Sequence, residues 1–263
     1  MKFSRIKAII VEHLLLLVHY LGLLIDTFYW PVMDIIIWGF MTIYLGRLGE
    51  KTEIVVSFFM SALILWTIAW RSQQDITVSF LFDVWNQNMT NLFTTPLTPT
   101  EFIIAVIILG VIKISMTLLA MTAIAYLFYN YQIWLLGFAF LPFFVNLLFF
   151  GWWVGIFVTA LILYFGKQIQ TLGWGFIVLL SPLSCVYYPL SSLPLILQKI
   201  ALFLPTTHVF EGMRSVLVGA DFSIEHILWA FGLNIIYLIL SGLFFRFMFE
   251  KAREKGRLVK LEE

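Results

Sequence analysis

The chain has 263 residues, of which 62% are hydrophobic and 12% charged, with a formal net charge of +1. Soluble domains carry about 45–50% apolar and about 25% charged residues, so a water-soluble globule is excluded. One cysteine, Cys185, excludes an internal disulfide framework, and the near-neutral charge leaves no footprint for nucleic acid.

What remains is an all-α integral membrane protein. A barrel strand needs only about 9–11 alternating residues, whereas no Asp, Glu, Lys or Arg occurs here from Ile114 to Gly166. Residues 1–26 come first. Ile6, Ile9, Ile10, Leu14, Leu17, Leu21 and Leu24 recur at helical spacing, while Lys2, Arg5, Glu12 and His19 fall mostly off that stripe. This predicts an amphipathic helix lying in the interface, with a short additional span as the other reading. The basic start resembles a signal-peptide n-region, yet Glu12, His13 and His19 interrupt the apolar part and no small-residue cleavage site follows. A helical crossing takes about 20 apolar residues. Six spans are predicted, at 27–46, 54–71, 100–128, 134–165, 168–188 and 226–249.

An even number of spans puts both termini on one side. Lys2, Arg5, Lys7, Arg71, Lys167 and Arg246 share that side with the basic residues of the 250–263 tail, while Arg47, Lys51, Lys199 and Arg214 lie opposite. The positive-inside rule then makes both termini cytoplasmic, in a multi-pass protein of the plasma membrane.

Two segments are not explained by simple spanning. The stretch between the second and third spans reads as a loop over 71–99 holding a short helix at 79–95, on which Leu81, Trp85, Leu92 and Phe93 could share a face. It leads into Thr98-Pro99-Thr100-Glu101, a capping box with proline at the first helical position. A short helix held between two spans offers a surface for a partner protein to push on; an interfacial helix without a partner is the plainer alternative. The second segment is 189–215. Pro189, Pro194 and Pro205 punctuate an apolar run and break helix continuity. Leu195 to Leu204 is about 15 Å of helix, half a bilayer, and both its ends return to one side. This predicts a re-entrant helical hairpin dipping in from outside, buried in protein or lining a path, with a lid lying flat on the headgroups as the alternative.

Polar residues inside the spans are few. Lys113 follows Glu101 by twelve residues, which places it about 18 Å in, just past the midplane. A pathway or gating role, a structural ion pair and snorkelling all fit. His208, Glu211 and Arg214 follow Pro205 on one helical face as an external gate, or Glu211 and Arg214 simply pair at i,i+3. Asn146 and Asn234 suit interhelical hydrogen bonds. Asp34, early in the first span, suits a cap or a headgroup contact. Tryptophans such as Trp66, Trp70, Trp134 and Trp174 read mainly as interfacial belt. The four histidines are scattered and Cys185 has no obvious partner, so no catalytic or metal-binding cluster is expected.

The run Pro96 to Phe102, the Trp30-Pro31 opening of the first span, and above all Pro189 to Arg214 resemble the permease subunit of a type-2 ATP-binding-cassette exporter. The resemblance implies a cytoplasmic coupling helix, carried here by Asp83, Val84, Trp85, Asn88, Leu92 and Phe93. It implies a gate or pathway built from Lys113, Pro189, Pro194, Pro205, His208, Glu211 and Arg214. It also implies two permease subunits, as a homodimer or with a sister permease, embedded in lipid and driven by two ABC ATPase subunits. The sequence contains no Gly-x-x-x-x-Gly-Lys-Ser/Thr phosphate loop, so ATP belongs to the partner and the chain has no cofactor of its own. The implied cargo is an amphipathic or lipid-linked molecule (drug, lipid or polysaccharide) leaving the cytoplasm. An ion-driven secondary transporter favours several intramembrane carboxylates or two repeated halves, and only Asp34 lies inside a predicted span. A membrane-embedded lipid enzyme requires clustered catalytic groups.

Overall fold

A computed structural model describes residues 3–47, 52–85, 99–220 and 223–254. All regular structure among them is helical. Helix α1, Phe3–His19, ends where Tyr20 turns extended (φ −98°, ψ 102°). Helix α2 then runs from Leu21 to Arg47 with one π-turn at Ile25–Tyr29. The predicted boundary at Asp26 therefore moves to Tyr20. A charge at position 26 suggests a helix end, but the Asp26 carboxylate, itself about half exposed, lies 3.3 Å from Arg71 and is compensated there.

The next helix differs more. Helix α3, Thr52–Trp85, has 34 residues and no break. At 1.5 Å per residue it is about 51 Å long, well beyond the roughly 30 Å hydrocarbon core. The loop predicted to begin at Arg71 is thus helical as far as Trp85, and the 79–85 part of the predicted short helix continues α3. Residues 86–98 lie outside the described residues. The polar run that suggested a loop is satisfied sideways: Gln73 Nε2 donates to the Gly173 carbonyl at 2.9 Å and to Thr77 Oγ1 at 3.0 Å, and the Ser72 hydroxyl to the Ile68 carbonyl at 2.6 Å.

Helix α4 covers Pro99–Tyr129 and opens on proline, as the capping sequence predicts; Thr98 lies outside the described residues. The stripe of α1 packs on its first turns, Ile6 and Ile9 against Ala105 and Ile104, and Arg5 Nη1 lies 3.5 Å from Glu101 Oε2. A 3-10 segment, Ile133–Ala139, leads into α5, Phe140–Phe165. Helix α6, Leu172–Leu180, is followed by a 3-10 turn at Ser181–Leu183. Then come α7, Leu195–Ala201, α8, Pro205–Leu217, and α9, Ile224–Glu254.

Among the described residues five helices are long and apolar enough to cross a membrane: Leu21–Arg47, Val55–Leu81, Ile104–Tyr129, Ile133–Phe165 and Ile224–Glu254. The fifth predicted span, 168–188, is represented by the shorter apolar stretch Leu172–Leu183. Gly166, at φ 86°, stops α5 before it, and Pro182 lies in the 3-10 turn that ends it. Helices α3 and α5 form the centre. Buried residues make up 56% of the apolar window of α3, against 17% in α2 and 22% in α9, so the last two present most of their surface outward.

The α3–α5 contact depends on two glycines one turn apart. A Cβ on Gly151 would sit 2.3 Å from Ser72 Cβ, 2.6 Å from the Ala69 carbonyl oxygen and 2.8 Å from the Gln73 nitrogen. A Cβ on Gly155 would lie 3.0 Å from the Gln73 carbonyl oxygen. Gly151 and Gly155 thus form a small-xxx-small seam that lets two backbones touch. On the other side of α5, Asn234 Nδ2 of α9 donates to the Asn146 carbonyl at 3.0 Å and to Asn146 Oδ1 at 3.1 Å. Both asparagines are fully buried, and their interhelical bonding is as the sequence predicts.

Candidate functional site

Polar and charged side chains gather at both ends of the bundle. At the α1 end, three helices converge on a polar cluster carried by α3. Arg71 Nη1 donates to Asp26 Oδ2 at 3.3 Å and to Gln74 Oε1 at 3.1 Å, and Nη2 reaches the Asp26 carbonyl. One turn on, Asp75 Oδ1 accepts from Lys113 Nζ of α4 at 3.4 Å. The side chains of Asp75 and Lys113 retain only 18% and 19% of their exposure. The second oxygen, Asp75 Oδ2, is buried without a hydrogen-bond partner. A cavity of about 80 Å³ opens between these groups and His13 of α1, room for a few waters. Burial, and then the Lys113 ammonium, lower the His13 pKa below its ordinary 6.5, outweighing the opposite pull of Glu12. The imidazole is therefore neutral at physiological pH.

Lys113 is thus an ion-pair partner, one of the roles its sequence position allows, but its depth differs from the expectation. Asp75 lies about 10 Å beyond the middle of the Val55–Leu81 stretch toward the α1 end, so the pair sits on the α1 side of the bundle's middle. Asp75 itself escaped the sequence reading. Its one signal was the i,i+4 step from Arg71 in a stretch free of glycine and proline.

Of the six residues expected to contact an ATPase, Asp83, Val84 and Trp85 form the last turn of α3. Asn88, Leu92 and Phe93 lie outside the described residues. The length of α3 carries that last turn well beyond Arg71 and the polar cluster.

At the opposite end the three prolines mark element boundaries. Pro189 precedes a 3-10 turn at Leu190–Ser192, Pro194 precedes α7, and Pro205 is the first residue of α8. Glu211 and Arg214 of α8 form an ion pair at 3.0 Å, and together they fasten the preceding loop. Arg214 Nη2 donates to the carbonyls of Cys185, Val186 (3.2 Å) and Tyr188 (2.6 Å). Glu211 Oε1 accepts from the Leu190 amide at 2.7 Å, and the guanidinium lies 5.0 Å from the Phe58 ring of α3. His208 Nε2 donates to the Leu202 carbonyl at 2.9 Å, closing the turn between α7 and α8. Thr206 and Thr207 add bonds to Ser184 and to the Leu183 carbonyl. These side chains meet as a group, and each one binds backbone or a neighbouring side chain of the cap itself.

The staple makes a specific demand on its cation. Arg214→Lys keeps the charge but not the planar fork that serves three carbonyls and a carboxylate at once. The substitution is expected to cost about 2 kcal/mol and to expose the 184–190 backbone. Hydrogen exchange confined to that loop, with protection in α3 and α5 unchanged, is the measurement that checks it.

A bundle of apolar helices, five of them among the described residues long enough to cross a membrane, with a polar cluster at one end and a stapled cap of short helices at the other, defines a polytopic membrane protein. The chain belongs to the ABC-2 type transporter family, whose model matches residues 25–218, and it is accordingly a permease subunit of a type-2 ABC transporter. The match begins in the π-turn of α2 and ends at the last turn of α8, so it takes in both the polar cluster and the cap while leaving out α1 and α9. No curated protein matches the chain.

Proposed function

We propose that this permease is the membrane component of an ATP-driven exporter, moving an amphipathic or lipid-linked molecule out of the cytoplasm across the plasma membrane. The family match over 25–218 carries the reading. ATP binding and hydrolysis belong to a separate ABC ATPase, and two permease subunits, alike or sister chains, form the working pair in the lipid. Both termini are cytoplasmic, so the α1 end faces the ATPase and the α7–α8 cap faces outside. Residues 79–95 transmit the stroke, with Asp83, Val84, Trp85, Asn88, Leu92 and Phe93 as the contact set. The length of α3 supports this, since a rigid helix of about 51 Å transfers motion at its end to the polar cluster and the seam. Segment 189–215 dips back from the outer face as a gate. Pro189, Pro194 and Pro205 set its corners, and His208, Glu211 and Arg214 hold it shut. Lys113, paired with Asp75, keeps the helices aligned beneath the pathway.

The test is co-purification. Tagged wild-type chain, extracted from its native membrane in mild detergent, is expected to bring down an ATPase with a phosphate loop. The variant Val84→Asp/Trp85→Asp/Leu92→Asp is expected to lose at least tenfold of that ATPase, because three new carboxylates must be desolvated at the contact. Equal recovery by the variant rules out this segment as the coupling element.

A further inference from the structure

The Asp26–Arg71–Gln74 group also borders a second space, a groove of about 360 Å³ between α2, α3 and α6. That volume falls within the range of small-molecule sites, roughly 300–1,000 Å³. Its walls are aromatic: Trp30 from α2, Trp70 from α3 and Trp174 from α6. Trp30 is 59% exposed and stands at the open side. On the wall lies Asp34, half-buried one turn beyond Trp30; among the described residues no hydrogen bond or ion pair engages its carboxylate, and the Arg71 guanidinium attracts it only from beyond ion-pair distance.

The charges are unequal. Two carboxylates, Asp26 and Asp34, face one guanidinium, and Arg71 is already committed to Asp26 and Gln74. A carboxylate within a membrane span usually has a partner, because its desolvation is otherwise uncompensated. We infer that this groove binds an amphipathic organic cation, whose charge meets Asp34 and whose apolar body lies against the indole rings. Bulky cations suit both features: they are weakly hydrated, and the face of tryptophan is the best of the aromatic faces for a positive charge.

The hydrogen-bonding inventory separates this from a sugar site. A glycan needs several donors and acceptors placed around its hydroxyls. Here the Thr67 hydroxyl is taken by the Leu63 carbonyl at 2.9 Å, and the Gln74 oxygen and Arg71 fork are taken by each other and by Asp26. The groups left over are the Asp34 carboxylate, which only accepts, the Trp70 indole N–H, which is buried without a partner, and the Gln74 amide N–H pair, since only its oxygen is bonded. An acceptor flanked by three aromatic rings matches a cation better than a polyol.

As a transport site the groove rests on the permease reading above, but binding requires no ATPase, so the two can fail separately. The experiment is equilibrium binding of radiolabelled tetraphenylphosphonium to the full chain in phosphatidylcholine nanodiscs, with tetraphenylborate as the anion of matched shape. Saturable binding of the cation alone is expected, weakened roughly tenfold or more in Asp34→Asn, where the charge pairing is lost. Asp34→Glu is expected to retain most of the affinity, and Trp174→Leu to lose several-fold through its missing ring face. A linear oligosaccharide is not expected to compete. Unchanged cation affinity in a folded Asp34→Asn variant, saturable binding of tetraphenylborate at equal affinity, or displacement by the oligosaccharide would each overturn the inference. Should Asp34→Asn fail to fold, Trp174→Leu decides, and unchanged affinity there overturns it too.

Discussion

Gly151→Leu is expected to abolish the native bundle. A single added Cβ at this position meets Ser72 Cβ at 2.3 Å and backbone atoms of Ala69 and Gln73 at 2.6 and 2.8 Å. The backbone atoms cannot swing away as a side chain tip can, so α3 and α5 must part. These two helices form the centre of the core, and separating them strips contacts from Ile68, Ala69, Phe150 and Val154, all fully buried. Overpacking typically costs about 1–3 kcal/mol when side chains can shift; with backbone in the way the cost should reach or exceed the top of that range. Thermal melting of purified protein in detergent checks it. Gly151→Ala should already lower the midpoint, and Gly151→Leu should leave no cooperative transition. Gly232→Ala, in α9 with nothing within 4 Å of the added atom, should leave the midpoint unchanged or slightly raised, since alanine is the better helix former.

The second large effect concerns Lys113. In Lys113→Met the Asp75 carboxylate loses its ion-pair partner while remaining enclosed, with Oδ2 already without a hydrogen bond. Removing one member of a buried ion pair costs about 3–5 kcal/mol in soluble proteins. The residual exposure here, near a fifth for each side chain, argues for the lower end. The informative comparison is the double variant Lys113→Met/Asp75→Asn, which removes both charges. It is expected to recover most of the lost stability, because the penalty comes from the orphaned carboxylate rather than from the missing pair. If both variants melt alike, far below wild type, Lys113 supports the fold through some contact other than Asp75. A double variant that is stable but inactive in transport assigns Lys113 a role in the pathway beyond pairing.

Much of this architecture is legible in the sequence, and the failures share a cause. Long apolar runs, the proline at 99 and the asparagines at 146 and 234 have local signatures: length, capping order and polarity in an apolar setting. Glu211 and Arg214 are separated by one helical turn, so their pairing is readable too. The carbonyls that Arg214 serves belong to residues 185–188, and nothing in the local pattern says that the chain folds back there. Arg71 to Thr77 reads as a loop because serine, glutamine and aspartate usually need water. In the bundle they find Gly173, Gly155 and Lys113 instead. The absence of glycine and proline from Glu53 to Thr95 is the local clue that the helix continues. Lys113 is conspicuous as an intramembrane charge, but its partner Asp75 lies four residues past the point where the loop reading ends that helix.

The central claim is that this permease works through a separate ATPase rather than through an ion gradient. The most direct measurement is ATP hydrolysis by the tagged chain purified from its native membrane in mild detergent, before and after a wash that strips peripheral subunits. The expected result is vanadate-sensitive hydrolysis that travels with a phosphate-loop subunit and disappears from the chain when that subunit is removed. A chain that comes down alone even after crosslinking, and that transports in liposomes under a proton or sodium gradient without ATP, would contradict the account.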